Sequence, residues 1–226
     1  MGDPAGIGPE IVLKALCALA ERPADRRPRL VVTGSAVCLR DAAERLGQPL
    51  RLAPAGEAAV FPAVAFQEVL PIAAPVPLGR DSAEGGQIAY RAVARAVELA
   101  QAGAVDAIVT APVSKAALNL AGHAYAGHTE MLADLTGVRG SVMMLAHGAF
   151  RVTHVTTHVA LEKVTALATP ERLRRVIDLT LDALGRLGIG APRVAVAALN
   201  PHAGEGGMFG RHDLDVTAPV IEDYRR

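Results

Sequence analysis

Two histidines far apart in the chain are the first candidates for chemistry. His158 ends the run VTHVTTH, and His202 lies in NPHAGEGG, a segment with three glycines. A histidine among residues that let the backbone approach a ligand favours a binding site over packing. We therefore predict that His158 and His202 are two ligands of one divalent metal. A catalytic site usually needs a third protein ligand, for which His147 and His212 are the remaining possibilities.

His154 and His158 are four residues apart, a spacing that suits a shared metal only on a helix. The β-branched neighbours in this run predict an extended backbone instead. Four residues of strand span roughly 13 Å, so two imidazoles on one strand do not reach one ion. We expect His158, at the end of the strand, to be the ligand, and His154 to be packed or to support the ligands.

The opening segment GDPAGIGPE carries glycines at positions 6 and 8 and a proline that suits the first turn of a helix running to Leu19. Backbone N–H groups at such a start can hold an anion, which makes Gly6 and Gly8 candidate cofactor-binding residues. A purely structural turn is the alternative. The segment is not the dinucleotide fingerprint, because the third glycine of GxGxxG is absent.

Two polar segments in the middle of the chain are candidate substrate contacts. TAPVSK follows a predicted strand, and ligands of open α/β sheets bind beyond the carboxyl ends of strands, so Lys115 is the predicted catalytic residue beside Ser114. GHTE predicts a helix start that places His128 and Thr129 where a phosphate or carboxylate oxygen is favoured. A surface lysine, and a helix cap with a surface histidine, are the alternatives.

Short β-branched runs that alternate with longer amphipathic segments must position these residues. Strands are predicted over 30–33, 107–110 and 193–198, and helices over 35–46, 82–102 and 170–187. Each helix has a capping residue at its start and a glycine after its end: Ser35 and Gly47, Ser82 and Gly103, Thr169 and Gly188. This alternation predicts an α/β fold with a largely parallel sheet.

Two stretches interrupt the alternation. Residues 48–79 are rich in proline and predict weak strands in a loop-rich excursion. Residues 141–156 hold two β runs parted by Gly148, which predicts a hairpin and a change of subdomain. We expect residues 1–226 to be one α/β unit that is a fragment, lacking a first strand and a C-terminal part.

Composition excludes several classes of protein. The 23 basic residues balance 23 acidic ones, and seven of the 226 residues are aromatic, which argues against nucleic-acid binding. A membrane span and a secretory signal are not evident, so we expect a cytoplasmic protein. Cys17 and Cys38 are then expected to be buried thiols in a reducing compartment.

Taken together, these segments resemble the family of 4-hydroxythreonine-4-phosphate dehydrogenase, an enzyme of pyridoxal phosphate biosynthesis. The matching runs, in the family's order, are GDPAGIGPE, VDAIVTAPVSKAALNLAG, GHTE, VMML, VTTH and LNPHAGEGG. The resemblance implies a homodimer with the two-subdomain fold of isocitrate and isopropylmalate dehydrogenases. It also implies NAD without the usual Rossmann fingerprint, and a divalent metal held by three histidines: zinc, with magnesium or cobalt as alternatives.

Carried to this chain, the resemblance makes His158 and His202 metal ligands and His128 and Thr129 substrate contacts. The family's third metal histidine and later substrate contacts have no counterpart here. The implied reaction is the oxidation and decarboxylation of 4-phosphooxy-L-threonine to 3-amino-2-oxopropyl phosphate, at a site on the subunit interface.

Two other functions stay open at this point. The runs AGHAYAGHTEMLADLTG and VTHVTTHVAL resemble equally a branch of the family that oxidises 4-phospho-D-threonate or 4-phospho-D-erythronate. A non-catalytic, truncated metabolite-binding remnant is the second alternative.

Overall fold

The computed structural model describes residues 1–225, and contacts within the chain divide them into two units. The first unit is Met1–Arg139 and the second begins at Gly140. Arg226, the last residue of the predicted fragment, lies outside the described residues.

The first unit contains a three-stranded parallel sheet with helices. In chain order its elements are α1 (Gly8–Ala20), a 3-10 turn (Ala24–Arg26), β1 (Val31–Gly34), α2 (Ala36–Arg45), β2 (Arg51–Pro54), β3 (Ala63–Glu68), α3 (Ala83–Gln101), α4 (Lys115–Leu120) and α5 (His128–Thr136). The strand order is β1-β3-β2, and both pairings are parallel.

The proline-rich stretch 48–79 supplies two of these three strands. The predicted weak strands are present as β2 and β3, but they belong to the same sheet as β1 rather than to an excursion from it. β3 is central because both β1 and β2 pair with it, and its Val64, Ala65 and Phe66 are all buried. Pro54 is tolerated because β2 lies at the sheet edge, where a missing N–H breaks no ladder bond.

The helix signals in the sequence are confirmed. Each of the three predicted caps accepts a hydrogen bond from the backbone N–H three residues on: Ser35 from Cys38, Ser82 from Gly85 and Thr169 from Arg172. The three predicted terminators, Gly47, Gly103 and Gly188, all have positive φ. Glycine adopts this left-handed conformation without the steric penalty that a side chain brings.

The predicted strand 107–110 is wrong. No strand is assigned there among the described residues, and Val109 is 91% exposed. The predicted strand 193–198 is wrong in the same way. A β-branched run supplies propensity, but a strand also needs a neighbour to pair with its N–H and C=O groups.

Two apolar clusters hold the first unit together. The larger includes Leu13, Leu39, Val64, Phe66 and Ile88. The smaller joins α3, α4 and α5 through Ala89, Val93, Leu118 and Met131. It is made possible by Gly86, where a Cβ atom would lie 1.9 Å from the carbonyl oxygen of Ala117.

The second unit consists of a hairpin followed by helical segments. Its elements are β4 (Met144–His147), β5 (Phe150–Thr153), α6 (Leu161–Leu167), α7 (Pro170–Arg186), a short 3-10 segment (Pro201–Gly207), a π-helical segment (Asp213–Thr217) and α8 (Ala218–Arg225). The predicted hairpin is confirmed, with β4 and β5 antiparallel. Leu173, Ile177 and Val220 form the core of this unit.

The two cysteines and the helices also bear on the predicted surroundings of the protein. Cys38 is buried as predicted, whereas Cys17 is only partly buried, and both are free thiols. Within residues 1–225, none of the helices has the length and apolar character needed to cross a membrane.

Candidate functional site

In the first unit, the glycine-rich opening loop lies against the TAPVSK segment. The Asp3 N–H donates a hydrogen bond to the Pro112 carbonyl oxygen over 2.8 Å. A Cβ atom on Gly2 would lie 2.4 Å from the same oxygen, and Gly2 has a φ of +73°. Only glycine fits this close approach. Two segments predicted separately to bind ligands are therefore neighbours.

Gly6 and Gly8 are in this loop, but its own residues use part of its hydrogen-bonding capacity. Asp3 Oδ1 accepts the Ala5 N–H over 2.9 Å, so a carboxylate of the loop already occupies one donor. A Cβ atom on Gly8 would lie 2.3 Å from the Met1 carbonyl oxygen, which gives this glycine a packing role. Burial raises the pKa of Asp3, and the charge of Asp81 adds to the rise. The cofactor role of Gly6 and Gly8 stays a prediction.

Lys115 is the first residue of α4 and is exposed. The preceding Ser114 has a structural role, because its Oγ accepts the Ala117 N–H over 3.2 Å and its hydroxyl donates to Asp81. A positive charge gains nothing from the partial positive charge of a helix start. The position of Lys115 is therefore not explained by helix stability, and its catalytic role stays a prediction.

His128 and Thr129 are the first two residues of α5, as the GHTE motif predicted. The Nε2 atom of His128 is buried and has no hydrogen-bond partner. Burial lowers the pKa of His128, while a hydrogen bond with the Ala111 backbone acts in the opposite direction. A buried nitrogen without a partner is costly, and a ligand hydroxyl that donates to Nε2 would remove the cost.

The lowered pKa of His128 predicts a pH dependence of stability. Folding favours the neutral imidazole, so the unfolded chain binds more protons once the pH falls below the ordinary histidine value of about 6.5. When the pH is lowered from about 7.5 to about 5, the free energy of unfolding should decrease in the parent. The decrease should be smaller in His128→Gln, which lacks the titrating imidazole. Urea denaturation of both proteins at the two pH values measures this. An equal decrease in both would show that His128 is not the group responsible.

In the second unit, both predicted metal ligands have a left-handed backbone. His158 has a φ of 55° and His202 a φ of 51°, and both side chains are exposed. Within residues 1–225 the other non-glycine residues with positive φ are Ala203 and Glu205, beside His202. Strain of this kind persists where the surroundings enforce it, commonly at functional sites. The two histidines selected from the sequence thus coincide with the strained positions.

The donor set for a metal is incomplete in the part of the chain that the structure describes. Two exposed imidazoles suit zinc, which takes histidine nitrogens readily. However, no group of three or more histidine, cysteine or acidic side chains is assembled for a metal within residues 1–225. The assignment of His158 and His202 as ligands of one metal therefore stays a prediction, with no third ligand assembled beside them in residues 1–225.

The other histidines of this unit have different surroundings. β5 ends at Thr153, so His154 and His158 lie beyond the strand; the prediction that His158 closes the strand is wrong because pairing with β4 stops earlier. The Nδ1 atom of His154 is buried without a partner. His212 is held by the Ala168 carbonyl oxygen, 3.0 Å from Nε2, and by the Thr217 hydroxyl, 3.5 Å from Nδ1. These contacts leave His212 poorly suited to bind a metal.

The segment Pro201–Gly207 turns in the left-handed sense around His202. Six consecutive residues, 202–207, have positive φ, and three of them are not glycine. Each such residue costs about 1–2 kcal/mol, so the turn stores roughly 3–6 kcal/mol. A Cβ atom on Gly204 would lie 2.4 Å from the Gly210 carbonyl oxygen, which shows how tightly the segment closes.

The hydrogen bonds of Asp213 contribute a stabilising free energy that is similar in size to this backbone strain. Its carboxylate accepts three hydrogen bonds, from the Leu199 N–H at 2.8 Å, the Asn200 N–H at 2.9 Å and the Asn200 side-chain amide at 3.0 Å. Hydrogen bonds to a charged group contribute about 1.5–3 kcal/mol each. Burial acts to raise the pKa of Asp213, but these hydrogen bonds hold it below the ordinary value.

Arg172 fixes the segment that leads to His158. Its guanidinium donates to the carbonyl oxygens of Val155 at 2.8 Å, Gly140 at 3.3 Å and Ser141 at 3.2 Å. Neither Arg172 nor Asp213 was identified from the sequence. Each lies on a helical segment remote in sequence from the loop it holds, and local patterns carry no signal for such contacts.

Comparison with known proteins identifies relatives of this chain. Residues 26–226 match the model of the family described as "Pyridoxal phosphate biosynthetic protein PdxA". The chain is 55% identical over 222 residues to a Bradyrhizobium diazoefficiens protein named "Putative D-threonate 4-phosphate dehydrogenase", covering 98% of this chain and 64% of that protein. It is 43% identical to the 4-hydroxythreonine-4-phosphate dehydrogenase of Caulobacter vibrioides, covering 99% of this chain and 68% of that protein.

Solved structures show the same relationship. The crystal structure of 4-hydroxythreonine-4-phosphate dehydrogenase from Klebsiella pneumoniae matches with a TM-score of 0.86 and 39% identity, over 100% of this chain and 69% of that one. The predicted α/β class is thereby confirmed. The chain spans 64–69% of the length of these three relatives.

Proposed function

This chain belongs to the family of the pyridoxal phosphate biosynthetic protein PdxA, and on that premise we propose that it oxidises a 4-phosphorylated hydroxy acid with NAD. The relatives named above are dehydrogenases of D-threonate 4-phosphate and of 4-hydroxythreonine-4-phosphate. Both names denote a four-carbon acid with a phosphate at one end. The observation in the structure that best supports the proposal is the coincidence of His158 and His202 with strained backbone.

D-threonate 4-phosphate is the substrate we propose first. The support is the 55% identity to a relative carrying that name, against 43% to the Caulobacter vibrioides 4-hydroxythreonine-4-phosphate dehydrogenase. The second candidate is 4-phosphooxy-L-threonine, oxidised and decarboxylated to 3-amino-2-oxopropyl phosphate. It is favoured by the family model, whose description is a pyridoxal phosphate biosynthetic protein.

In this mechanism the residues of the first unit bind and orient the substrate. The start of α5 offers His128, whose Nε2 lacks a partner, and Thr129, whose hydroxyl can donate to a phosphate or carboxylate oxygen. Lys115, exposed at the start of α4, is the proposed group that exchanges a proton with the substrate. In the neutral state that burial favours, the single N–H of His128 is used by the Ala111 backbone bond, which leaves Nε2 as an acceptor for a substrate hydroxyl.

His158 and His202 are the proposed metal ligands in the second unit. These two imidazoles would hold a divalent cation, zinc first and magnesium or cobalt as alternatives, which when bound would lower the pKa of the substrate alcohol. NAD is the proposed hydride acceptor, with Gly6 and Gly8 as the proposed contacts. The cytoplasm is the proposed compartment, in keeping with two free thiols.

The activity is tested by measuring NADH formation from NAD with each of the two phosphorylated acids, in separate assays with zinc, magnesium and cobalt. We expect turnover of D-threonate 4-phosphate, abolished by a metal chelator. Turnover of 4-phosphooxy-L-threonine alone would reject the first substrate in favour of the second. No turnover of either acid by the chain would contradict the proposed activity.

We also propose that the chain forms a homodimer with the active site at the subunit interface, and one face of the β4–β5 hairpin supports the dimer. Leu145 is 56% exposed, Phe150 71% and Val152 37%, and the strand register puts all three on one side. A two-stranded hairpin is marginally stable alone, and its exposed apolar face suits a second copy.

Replacing Phe150 with aspartate is therefore expected to shift the chain from dimer to monomer, because a charge would be buried in the interface. Sedimentation velocity at several protein concentrations measures the change. Leu187→Asp is the matched control, since Leu187 is also exposed, at 58%, in the same unit but off the hairpin. A parent chain that is already monomeric, or a Phe150→Asp protein that dimerises like the control, would contradict this surface.

A further inference from the structure

We propose that Asp213 is the positioning residue that holds His202 in place for metal binding, an inference that rests on the metal site of the proposed function. Asp213 is 5% exposed and lies at the start of the π-helical segment, eleven residues after His202 in the sequence. Its two carboxylate oxygens accept the three hydrogen bonds from Leu199 and Asn200. No other part of the proposed mechanism uses this carboxylate.

The hydrogen bonds act at the entrance of the left-handed segment. Leu199 and Asn200 directly precede Pro201–Gly207, so Asp213 fixes the direction in which the chain enters it. The Asn200 amide that donates to Asp213 also lies beside Gly210, three residues after the segment, where it would be 3.4–3.6 Å from an added Cβ atom. Asn200 therefore lies near both ends of the segment, and Asp213 holds Asn200 through two of its three hydrogen bonds.

The strain in the segment makes this anchoring necessary. His202, Ala203 and Glu205 would each relax to negative φ if the ends of the segment were released. Relaxation would turn the His202 imidazole away from its present direction. Partners that orient a metal ligand typically change metal affinity 10–100-fold when they are removed.

The test is the affinity for Zn²⁺, measured by competition with a chromophoric chelator, on the folded chain. Asp213→Asn keeps the shape of the side chain but loses its charge and presents an amide to N–H donors. We expect it to bind Zn²⁺ about 10–100-fold more weakly than the parent. Hydrogen exchange gives a second readout, because the Leu199 and Asn200 amides should exchange faster in the variant.

Two controls separate positioning from loss of charge or of stability. Asp215→Asn removes an equal charge two residues away, from an exposed aspartate that pairs with Arg211. Val220→Ala opens a cavity at a residue that is 1% exposed in the same core, and so lowers stability without touching the segment. Both should bind Zn²⁺ like the parent. If Val220→Ala weakens binding as much as Asp213→Asn, the role of Asp213 is structural and the inference is overturned.

A further pair of variants keeps the test decisive. Asn200→Ala removes one of the three hydrogen bonds and should weaken Zn²⁺ binding less than Asp213→Asn, which gives a reading even if Asp213→Asn does not fold. If Asn200→Ala and any folded Asp213→Asn protein bind Zn²⁺ like the parent, the inference is overturned. The metal site itself is still supported in that case if His202→Ala binds Zn²⁺ more weakly than the parent. Parent-like binding by His202→Ala would instead remove the metal site, and the inference with it.

Discussion

Replacing His202 with alanine is expected to weaken Zn²⁺ binding by at least about 100-fold. The loss of a partner that only orients a ligand costs about 10–100-fold, and the loss of the ligand itself must cost more. Alanine is a suitable replacement because Ala203 already adopts a φ of 53° beside it, so the backbone need not change. The effect on the fold should be small, since His202 is exposed.

The measurement is zinc content after gel filtration, together with a direct titration of each protein. Leu187→Ala is the matched control: it truncates another exposed side chain of the same unit, at a residue that is 58% exposed and outside the proposed metal site. The control should retain zinc, whereas His202→Ala should not. Equal zinc content in the parent and His202→Ala would show that this imidazole is not a ligand.

Replacing Gly86 with alanine is expected to destabilise the first unit by about 3 kcal/mol or more. The new Cβ atom would lie 1.9 Å from the carbonyl oxygen of Ala117, 2.4 Å from its carbonyl carbon and 2.9 Å from the Leu118 nitrogen. All three atoms are backbone, so no side-chain rotation relieves the overlap, and α3 and α4 must separate. The gain in helix propensity, about 1 kcal/mol, is too small to compensate.

The matched control is the same substitution at Gly185, in α7. A Cβ atom there meets nothing within 4 Å, so alanine should raise stability by up to about 1 kcal/mol through helix propensity alone. Thermal denaturation should therefore shift in opposite directions, with a decrease of roughly 6–12 °C for Gly86→Ala. A Gly86→Ala protein as stable as the parent would mean that α3 and α4 are not in close backbone contact at Gly86.

Local signals predicted the helices of this fold well. The capping hydroxyls of Ser35, Ser82 and Thr169 each accept a hydrogen bond from the N–H three residues later. Both partners of each bond therefore lie within one short stretch of sequence, where a local pattern can reveal them. The same holds for the β4–β5 hairpin, whose strands are separated by a two-residue turn.

Strands whose partners are distant in sequence were predicted less well. The run at 107–110 has the β propensity of a buried strand, yet Val109 is 91% exposed because pairing depends on a neighbour that propensity does not supply. Conversely, β3 was predicted as a weak strand and is the centre of the sheet, because β1 and β2 both pair with it.

For the candidate site, the sequence indicated the candidate ligands but not the residues that hold the backbone around them. His158 and His202 were selected because a histidine beside glycines or at the end of a β run suggests a ligand. Their left-handed backbone was not predictable from a local pattern, and the side chains that hold the neighbouring residues Leu199 and Val155 come from Asp213 and Arg172, 14 and 17 positions away. The residues that hold a site are recognised only when the fold brings distant segments together.

The central claim, that His158 and His202 bind one cation, is tested most directly by anomalous diffraction at the zinc absorption edge from crystals grown with Zn²⁺. We predict one strong peak at about 2.0–2.1 Å from a ring nitrogen of each of the two histidines. A peak beside only one of them, or beside neither, would contradict the claim.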